Sequence, residues 1–355
     1  SLVGSEMCIR DSIILTALLG VIFSTGRQSK RKKAWFCTLV TINWILVSGL
    51  RGMDVGADTI SYRNRFYRTL NTSWHDIFGN FYRVYINDEG KDAGYSLFEK
   101  IVQIFVKDYQ GYLIVVAAVF FICLGYWIFK NSKYPCFSYL IFSAFLFGFY
   151  AVTGTRQTIA TALVVFIGSE LIKKNKFWKF LIVCLVAFTI HKSSIVLIPF
   201  YFIAKKEITS RYIASVLAAT PLLFIFRERY VDLLRYISGY EYDAIENEGA
   251  YGFMFMYVAV TVIAVILLKY VKRNTKNYKL YYNALFMGLV FIPAVFVNPA
   301  IMRVVQYFST FLMLLIPEMI YALEKKYRRF GYCVMLLILF AASNVYSYQY
   351  TFFWQ

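Results

Sequence analysis

Arg27-Gln28-Ser29-Lys30-Arg31-Lys32-Lys33 divides two apolar runs, 12–26 and 34–50, with five cations and no acid. Loops rich in lysine and arginine beside membrane spans stay on the cytoplasmic side. The two runs are therefore predicted to be spans whose far ends face outward. The same composition returns at Lys130 to Lys133, Lys173 to Lys179, Lys205 to Arg211, Lys269 to Lys279 and Lys325 to Arg329. These clusters sit in every second loop, which fixes a topology. The long segment 51–111 holds eight basic and eight acidic residues, and 227–252 is net acidic. Both are predicted to lie outside.

A membrane helix needs about 20 apolar residues. That rule predicts an all-α, polytopic transmembrane bundle of about twelve spans. They fall near 12–26, 34–50, 112–129, 137–153, 155–172, 177–191, 193–204, 211–226, 253–270, 281–297, 303–323 and 330–347. Both ends of the chain then face outward. The run at 193–204 is too short to cross alone. Hydrophobic residues make up 59% of the chain and charged residues 16%, against roughly 45–50% and 25% in soluble domains. A net charge of +18 in a soluble protein points to nucleic acid; here the excess lies in the inner loops and is an orientation signal. Membrane lipid is the expected surrounding, and nucleic acid is not an expected partner.

Six cysteines are present: Cys8, Cys37, Cys123, Cys136, Cys184 and Cys333. None falls in the two long outer segments and no pair has redox or metal spacing, so no disulfide, zinc or other cofactor is expected. Residues 1–12, SLVGSEMCIRDS, read as adaptor-derived rather than native, which leaves one transmembrane domain over 13–355. Within the outer segment, Gly94 to Phe105 carries apolar residues at helical spacing. Leu97, Phe98, Ile101, Val102 and Phe105 form one face, which predicts an amphipathic helix either lying on the outer interface or packed on the bundle.

The alternation puts the starts of three spans on the outer face. Each begins with polar residues: Thr153-Gly154-Thr155-Arg156-Gln157, Ile190-His191-Lys192-Ser193-Ser194, and Asn298-Pro299-Ala300-Ile301-Met302-Arg303. A helix N-terminus attracts anions, and a cation placed there is unfavourable unless an anion is present. Arg156, Lys192 and Arg303, helped by Gln157, are predicted to bind a multiply charged oxyanion. Pyrophosphate fits best, because guanidinium matches it bidentately. The bland alternative is that each cation meets lipid phosphate at its own helix end. His191 at the mouth of an apolar span suits either proton acceptance or donation to a phosphate oxygen. A second cluster, Arg51-Gly52-Met53-Asp54-Val55-Gly56-Ala57-Asp58-Thr59-Ile60-Ser61-Tyr62, follows a span directly. Asp54 and Asp58 there suit a general base, sugar-hydroxyl acceptors or a hard cation; the bland alternative is a glycine turn and a helix cap. The acidic loop 227–252, with Asp232, Glu241, Asp243, Glu246 and Glu248 among tyrosines, suits sugar binding or a solvated lid.

The ordered set of Arg51, Gly56-Ala57-Asp58-Thr59, Tyr62, Asp92-Ala93-Gly94-Tyr95, Arg156-Gln157, His191-Lys192-Ser193-Ser194, Arg303 and Tyr307 resembles the EpsG family, integral membrane proteins related to Wzy-type polysaccharide polymerases. The family often has Thr where Ala57 stands and Glu where Asp92 aligns. The resemblance implies a glycosyltransferase that joins undecaprenyl-pyrophosphate-linked oligosaccharide units on the outer face of the bacterial cytoplasmic membrane, in capsule or exopolysaccharide assembly. Chain-length regulator and flippase proteins are then expected partners. In that setting Asp58 or His191 accepts the hydroxyl proton, and Arg156, Arg303, Lys192 and Gln157 hold pyrophosphate. Arg51, Asp54, Tyr62 and Tyr307 shape the sugar site. A flippase predicts polar groups along an inner cavity and paired half-repeats, neither of which the sequence shows. A non-catalytic export subunit predicts that the outward arginines are replaceable.

Overall fold

The computed structural model describes residues 3–24, 29–56, 58–146, 148–238, 250–345 and 350–355. Helices account for most of them. The chain groups into two compact units, 1–197 with 335–355, and 198–334.

The first unit opens with α1 (Val3–Ser24) and α2 (Lys30–Gly49). Ser29 begins α2 by accepting a bond from the Lys32 N–H, which satisfies one of the unpaired donors of the first turn. The predicted outer segment then holds three helices: α3 (Thr59–Asn71), α4 (Trp74–Tyr85) and α5 (Ala93–Val102). Asp108 caps α6 (Tyr109–Asn131), which runs antiparallel along α2. Glycines let these two approach: a Cβ on Gly49 meets the Ile114 backbone at 2.9 Å, and one on Gly125 meets Thr41 Oγ1 at 2.1 Å. The chain continues through α7 (Pro135–Phe145), a π-helical turn at Gly148–Val152, α8 (Thr155–Thr161), a second π turn at Ala162–Ile167, α9 (Gly168–Lys173) and α10 (Phe177–Ile190). A 3-10 turn, Lys192–Val196, follows.

The second unit contains α11 (Leu197–Ile203) from its second residue onward, then α12 (Ser210–Ile225), α13 (Arg227–Ser238), α14 (Ala250–Asn274), α15 (Tyr278–Val295), a 3-10 turn at Pro299–Ile301, α16 (Met302–Ser309), α17 (Leu312–Ala322) and the start of α18 (Lys325–Val345). Its centre is aromatic, with the Phe200 and Phe308 rings 5.1 Å apart. Among the described residues of this unit the one buried acid, Glu318, accepts a 2.6 Å bond from Thr275.

The described residues of each predicted span are mostly helical, but length and continuity differ. Among the described residues Tyr109–Asn131, Tyr251–Asn274 and Tyr278–Val295 are long and apolar enough to cross a bilayer. The predicted span 303–323 is a pair of helices bent by 50° at a short break, and 155–172 is interrupted by its π turn. Four more apolar helices are shorter than a full crossing. The protein is thus an all-helical membrane protein. Residues 239–249 of the acidic loop, with Glu241, Asp243, Glu246 and Glu248, lie outside the described residues, as does Ala57.

The amphipathic helix takes the second of its two expected placements, packed on other helices. It ends at Val102; of the expected face Val102 is buried and Phe98 packs against the core, and Tyr95 and Glu99, outside that face, are buried as well. Ile101 and Phe105 are exposed, Phe105 at 84%. The reason is that α5 packs on protein, between α3, α4 and α10, and Gly94 is its contact. A Cβ there meets Thr189 Oγ1 at 2.0 Å and the Thr189 backbone at 2.9 Å.

Candidate functional site

One apolar cluster supports the candidate site: Tyr62 and Phe66 of α3, Tyr95 and Val102 of α5, Tyr109, Tyr112, Leu113 and Val116 of α6, Ile159 of α8 and Ile190 of α10. Three of the polar residues singled out in the sequence are chain neighbours of members of this cluster. Arg156 lies one turn before Ile159, His191 directly follows Ile190, and Asp58 lies one turn before Tyr62.

Arg156 is the centre. Its Nε donates to the Tyr62 hydroxyl at 3.0 Å, its Nη1 donates to Asp92 Oδ2, and the guanidinium lies 5.8 Å from the centre of the Tyr62 ring. The anion that a cation at a helix start requires is therefore supplied within the chain, by a buried carboxylate. Asp92 reaches it from the N-cap of α5 with φ 54°, a left-handed backbone that Asp and Asn tolerate better than most residues. Asp92 also raises the Tyr85 phenol, although burial is the larger cause; together they push it up to about 12. Tyr85 in turn donates to the Thr189 carbonyl at 3.3 Å, tying α4 to the end of α10.

Behind Tyr62 lies a second polar group. The Tyr62 and Tyr95 rings meet edge to face at 5.7 Å, and the Arg65 guanidinium lies 4.6 Å from the Tyr95 ring centre. Arg65 pairs with the fully buried Glu99 at 3.4 Å, and Thr69 donates to the same carboxylate oxygen at 3.1 Å. Desolvation outweighs these partners and pushes the Glu99 carboxyl up to about 7.

The loop before α3 turns at Gly56, with φ +95° and a Cβ position 2.7 Å from the Val152 carbonyl; only glycine fits there. Asp58 occupies the N-cap position of α3 without a side-chain capping bond, and its carboxylate is exposed. Asp54, also exposed, accepts a bond from Thr351. Arg51 is buried instead. Its Nη1 donates to the Ser48 and Ala151 carbonyls at 2.8 and 3.1 Å, and its backbone bridges to Phe352. Arg51 thus joins the end of α2, the π turn before α8 and residues 350–355. Burial works against its charge, and the nearby Tyr109, Tyr350 and Tyr95 phenols favour it.

His191 is extended between α10 and the 3-10 turn and is 8% exposed. That turn packs against α8. Lys192 faces Asp88 at 3.9 Å, and Gln157 is buried in α8. The structure thus brings together Tyr62, Arg156 and Asp92, with the His191–Lys192 turn against the same helix. Arg303, half-buried near the start of α16, and the fully buried Tyr307 one turn later belong to the second unit. Among the described residues no three His, Cys, Asp or Glu side chains form a metal-holding group. Three partners are absent from the sequence-level set of site residues: Asp92, Glu99 and Arg65. The signal for Asp92 was present in the motif Asp92-Ala93-Gly94-Tyr95.

The EpsG family profile matches residues 34–355, nearly the whole chain. This chain belongs to the EpsG family. No curated protein and no solved structure matches it. Membership accords with the ordered motifs and points to exopolysaccharide biosynthesis at a membrane. Among EpsG motifs, the Asp92 and Arg156 segments are 64 positions apart and touch here.

Proposed function

We propose that this EpsG-family protein polymerises lipid-linked oligosaccharide repeat units on the outer face of the bacterial cytoplasmic membrane. The donor is a glycan on undecaprenyl pyrophosphate, and the acceptor is a terminal sugar hydroxyl of a second lipid-linked unit. The acceptor oxygen bonds to the anomeric carbon while the bond from that carbon to pyrophosphate oxygen breaks. The electron pair leaves with the pyrophosphate, and the hydroxyl proton passes to a base.

The observation that carries this reading is the fixed guanidinium of Arg156. A guanidinium has five N–H donors. One on Nε and one on Nη1 are engaged by Tyr62 and Asp92, while the side chain keeps 24% of its exposure. Two partners set its plane, and the remaining donors suit the oxygens of a departing pyrophosphate. Charge held in place before the reaction stabilises the leaving group without reorganisation at that moment. Asp92 serves as a positioning residue. Asp58, exposed and not used as a cap, is the proposed base. Lys192 and Gln157 assist at the phosphates, and His191 orients or relays. Asp54 and Tyr62 shape the acceptor side. Arg303, from its place near the start of α16, is proposed as a further phosphate contact and tested separately. Twelve crossings with both ends outward go with this reading.

Replacing Arg156 or Arg303 by alanine, with protein level checked, tests the proposal through the chain length of exported polymer. Loss of long chains in the Arg156 variant is expected. Undiminished long chains in the Arg156 variant would remove the pyrophosphate assignment, and undiminished long chains in the Arg303 variant would remove Arg303 from the site.

A further inference from the structure

The contact between α2 and α6 is tight at Gly49 and loosens, toward the Lys33 and Lys130 ends of the helices, into a cleft of ≈ 360 Å³ that Gly125 and Thr41 help to line. Its walls include Thr38, Thr41, Ile42, Ile122, Tyr126 and Phe129. They are mainly apolar, and the cleft is partly open, as suits a hydrocarbon chain entering from the bilayer. Cations mark its end. Lys33 Nζ lies 5.6 Å from the centre of the Phe129 ring, and Lys130 Nζ lies 5.9 Å from that of Tyr126. Two of the aromatic residues that line the cleft thus each carry an ammonium group.

The charge at this end is unbalanced. Lys130 is neutralised by Glu170, which Lys173 also contacts. Lys30, Arg31, Lys32 and Lys33 follow one another in the first turn of α2 with no acid among them. Lys33 donates to the Ser132 carbonyl, a neutral acceptor, and Lys30 and Arg31 are exposed. Basic pockets beside membrane helices attract anionic lipid headgroups, at about 1 kcal/mol per cation, a factor of roughly five in affinity for each.

We propose that this cleft is a binding site for an anionic phospholipid, one acyl chain lying between Ile42 and Ile122 and the headgroup phosphate meeting Lys30, Arg31 and Lys33. The apolar walls select a chain, and the cation surplus selects a negative headgroup over a zwitterionic one. The inference concerns the end of α2 remote from Arg156 and does not depend on the polymerase reading.

Native mass spectrometry of the purified full-length protein, titrated with phosphatidylglycerol or phosphatidylcholine of matched chains, tests it. Phosphatidylglycerol is expected to bind about tenfold or more tightly. Thr38→Trp, which fills the cleft at unchanged charge, is expected to abolish that binding, with Ile42→Trp as a second plug. The triple variant Lys30→Gln, Arg31→Gln, Lys33→Gln keeps the cleft and is expected to bind both lipids equally. Equal affinities in the unaltered protein, or a preference that survives both tryptophan plugs, would overturn the proposal. Displacement of phosphatidylglycerol by equimolar undecaprenyl phosphate would overturn the phospholipid assignment.

Discussion

Replacing Asp92 by asparagine removes a charge and almost nothing else. Asparagine tolerates the left-handed backbone that Asp92 adopts at φ 54°, and it keeps an amide oxygen facing Arg156. Breaking a buried ion pair by removing one partner costs about 3–5 kcal/mol. The Asp92 side chain is 6% exposed and that of Arg156 24%, so water partly compensates the arginine, and about 2–3 kcal/mol is expected. Arg156→Gln leaves the carboxylate buried without its cation and is expected to cost a similar amount. The double variant has neither orphaned charge. Its cost is expected to fall short of the sum of the two single costs by about 2 kcal/mol, the coupling of groups in direct contact. Thermal unfolding of the four detergent-purified proteins measures this cycle. Additivity within about 0.5 kcal/mol would refute the pairing on which the orientation of Arg156 rests.

Glu99 titrates in the physiological range because burial pushes its carboxyl from 4.5 up to about 7. A raised folded-state value gives stability that is present below pH 4.5 and lost as pH rises through 7; the loss relative to Glu99→Gln is expected to be on the order of 3 kcal/mol, read as melting temperature against pH. Gly94→Ala places a methyl group 2.0 Å from Thr189 Oγ1, and α5 must move off α10. A loss of about 1–3 kcal/mol together with polymer chain length is expected, whereas a variant with unchanged stability would show that the contact is not tight. In the second unit, Gly288→Ala meets the Tyr257 hydroxyl oxygen at 1.9 Å. A destabilisation of about 1–3 kcal/mol is expected, with Tyr257→Phe on the same background restoring part of it.

Much of the helical order is legible in the residues, because apolar runs bounded by cation clusters leave little choice of structure. The breaks are less so. Apolar residues continue through the π turns at Gly148–Val152 and Ala162–Ile167, whereas the bend before α17 falls at Ser309 and Thr310, whose hydroxyls both donate to the Gln306 carbonyl, back-bonding that bends helices. The residues offer a helix cap at Asp58, where α3 begins, but the bodies of α3 and α4 are harder to read for a different reason. In α3 the buried residues Tyr62, Phe66 and Thr69 recur at helical spacing, but Arg63, Arg65 and Arg68 dilute the apolar signal. In α5 the buried face is set by Gly94 and Glu99, which no hydrophobic count selects. Arg156 was recognisable because a cation at a helix start demands an anion. That the anion is Asp92 was not, because the partner comes from a distant loop and only folding brings it near. Arg51 shows the reverse: its position after a span suggested a ligand contact, and the structure engages it with backbone carbonyls.

The most direct measurement of the central claim is a gel ladder from purified protein in lipid vesicles supplied only with defined undecaprenyl-pyrophosphate-linked repeat units. The unaltered protein is expected to build products of increasing length, and Arg156→Ala at equal protein level is expected to leave the units unjoined. Relocation of unaltered substrate between leaflets without joining, or a full ladder from Arg156→Ala, would contradict the account.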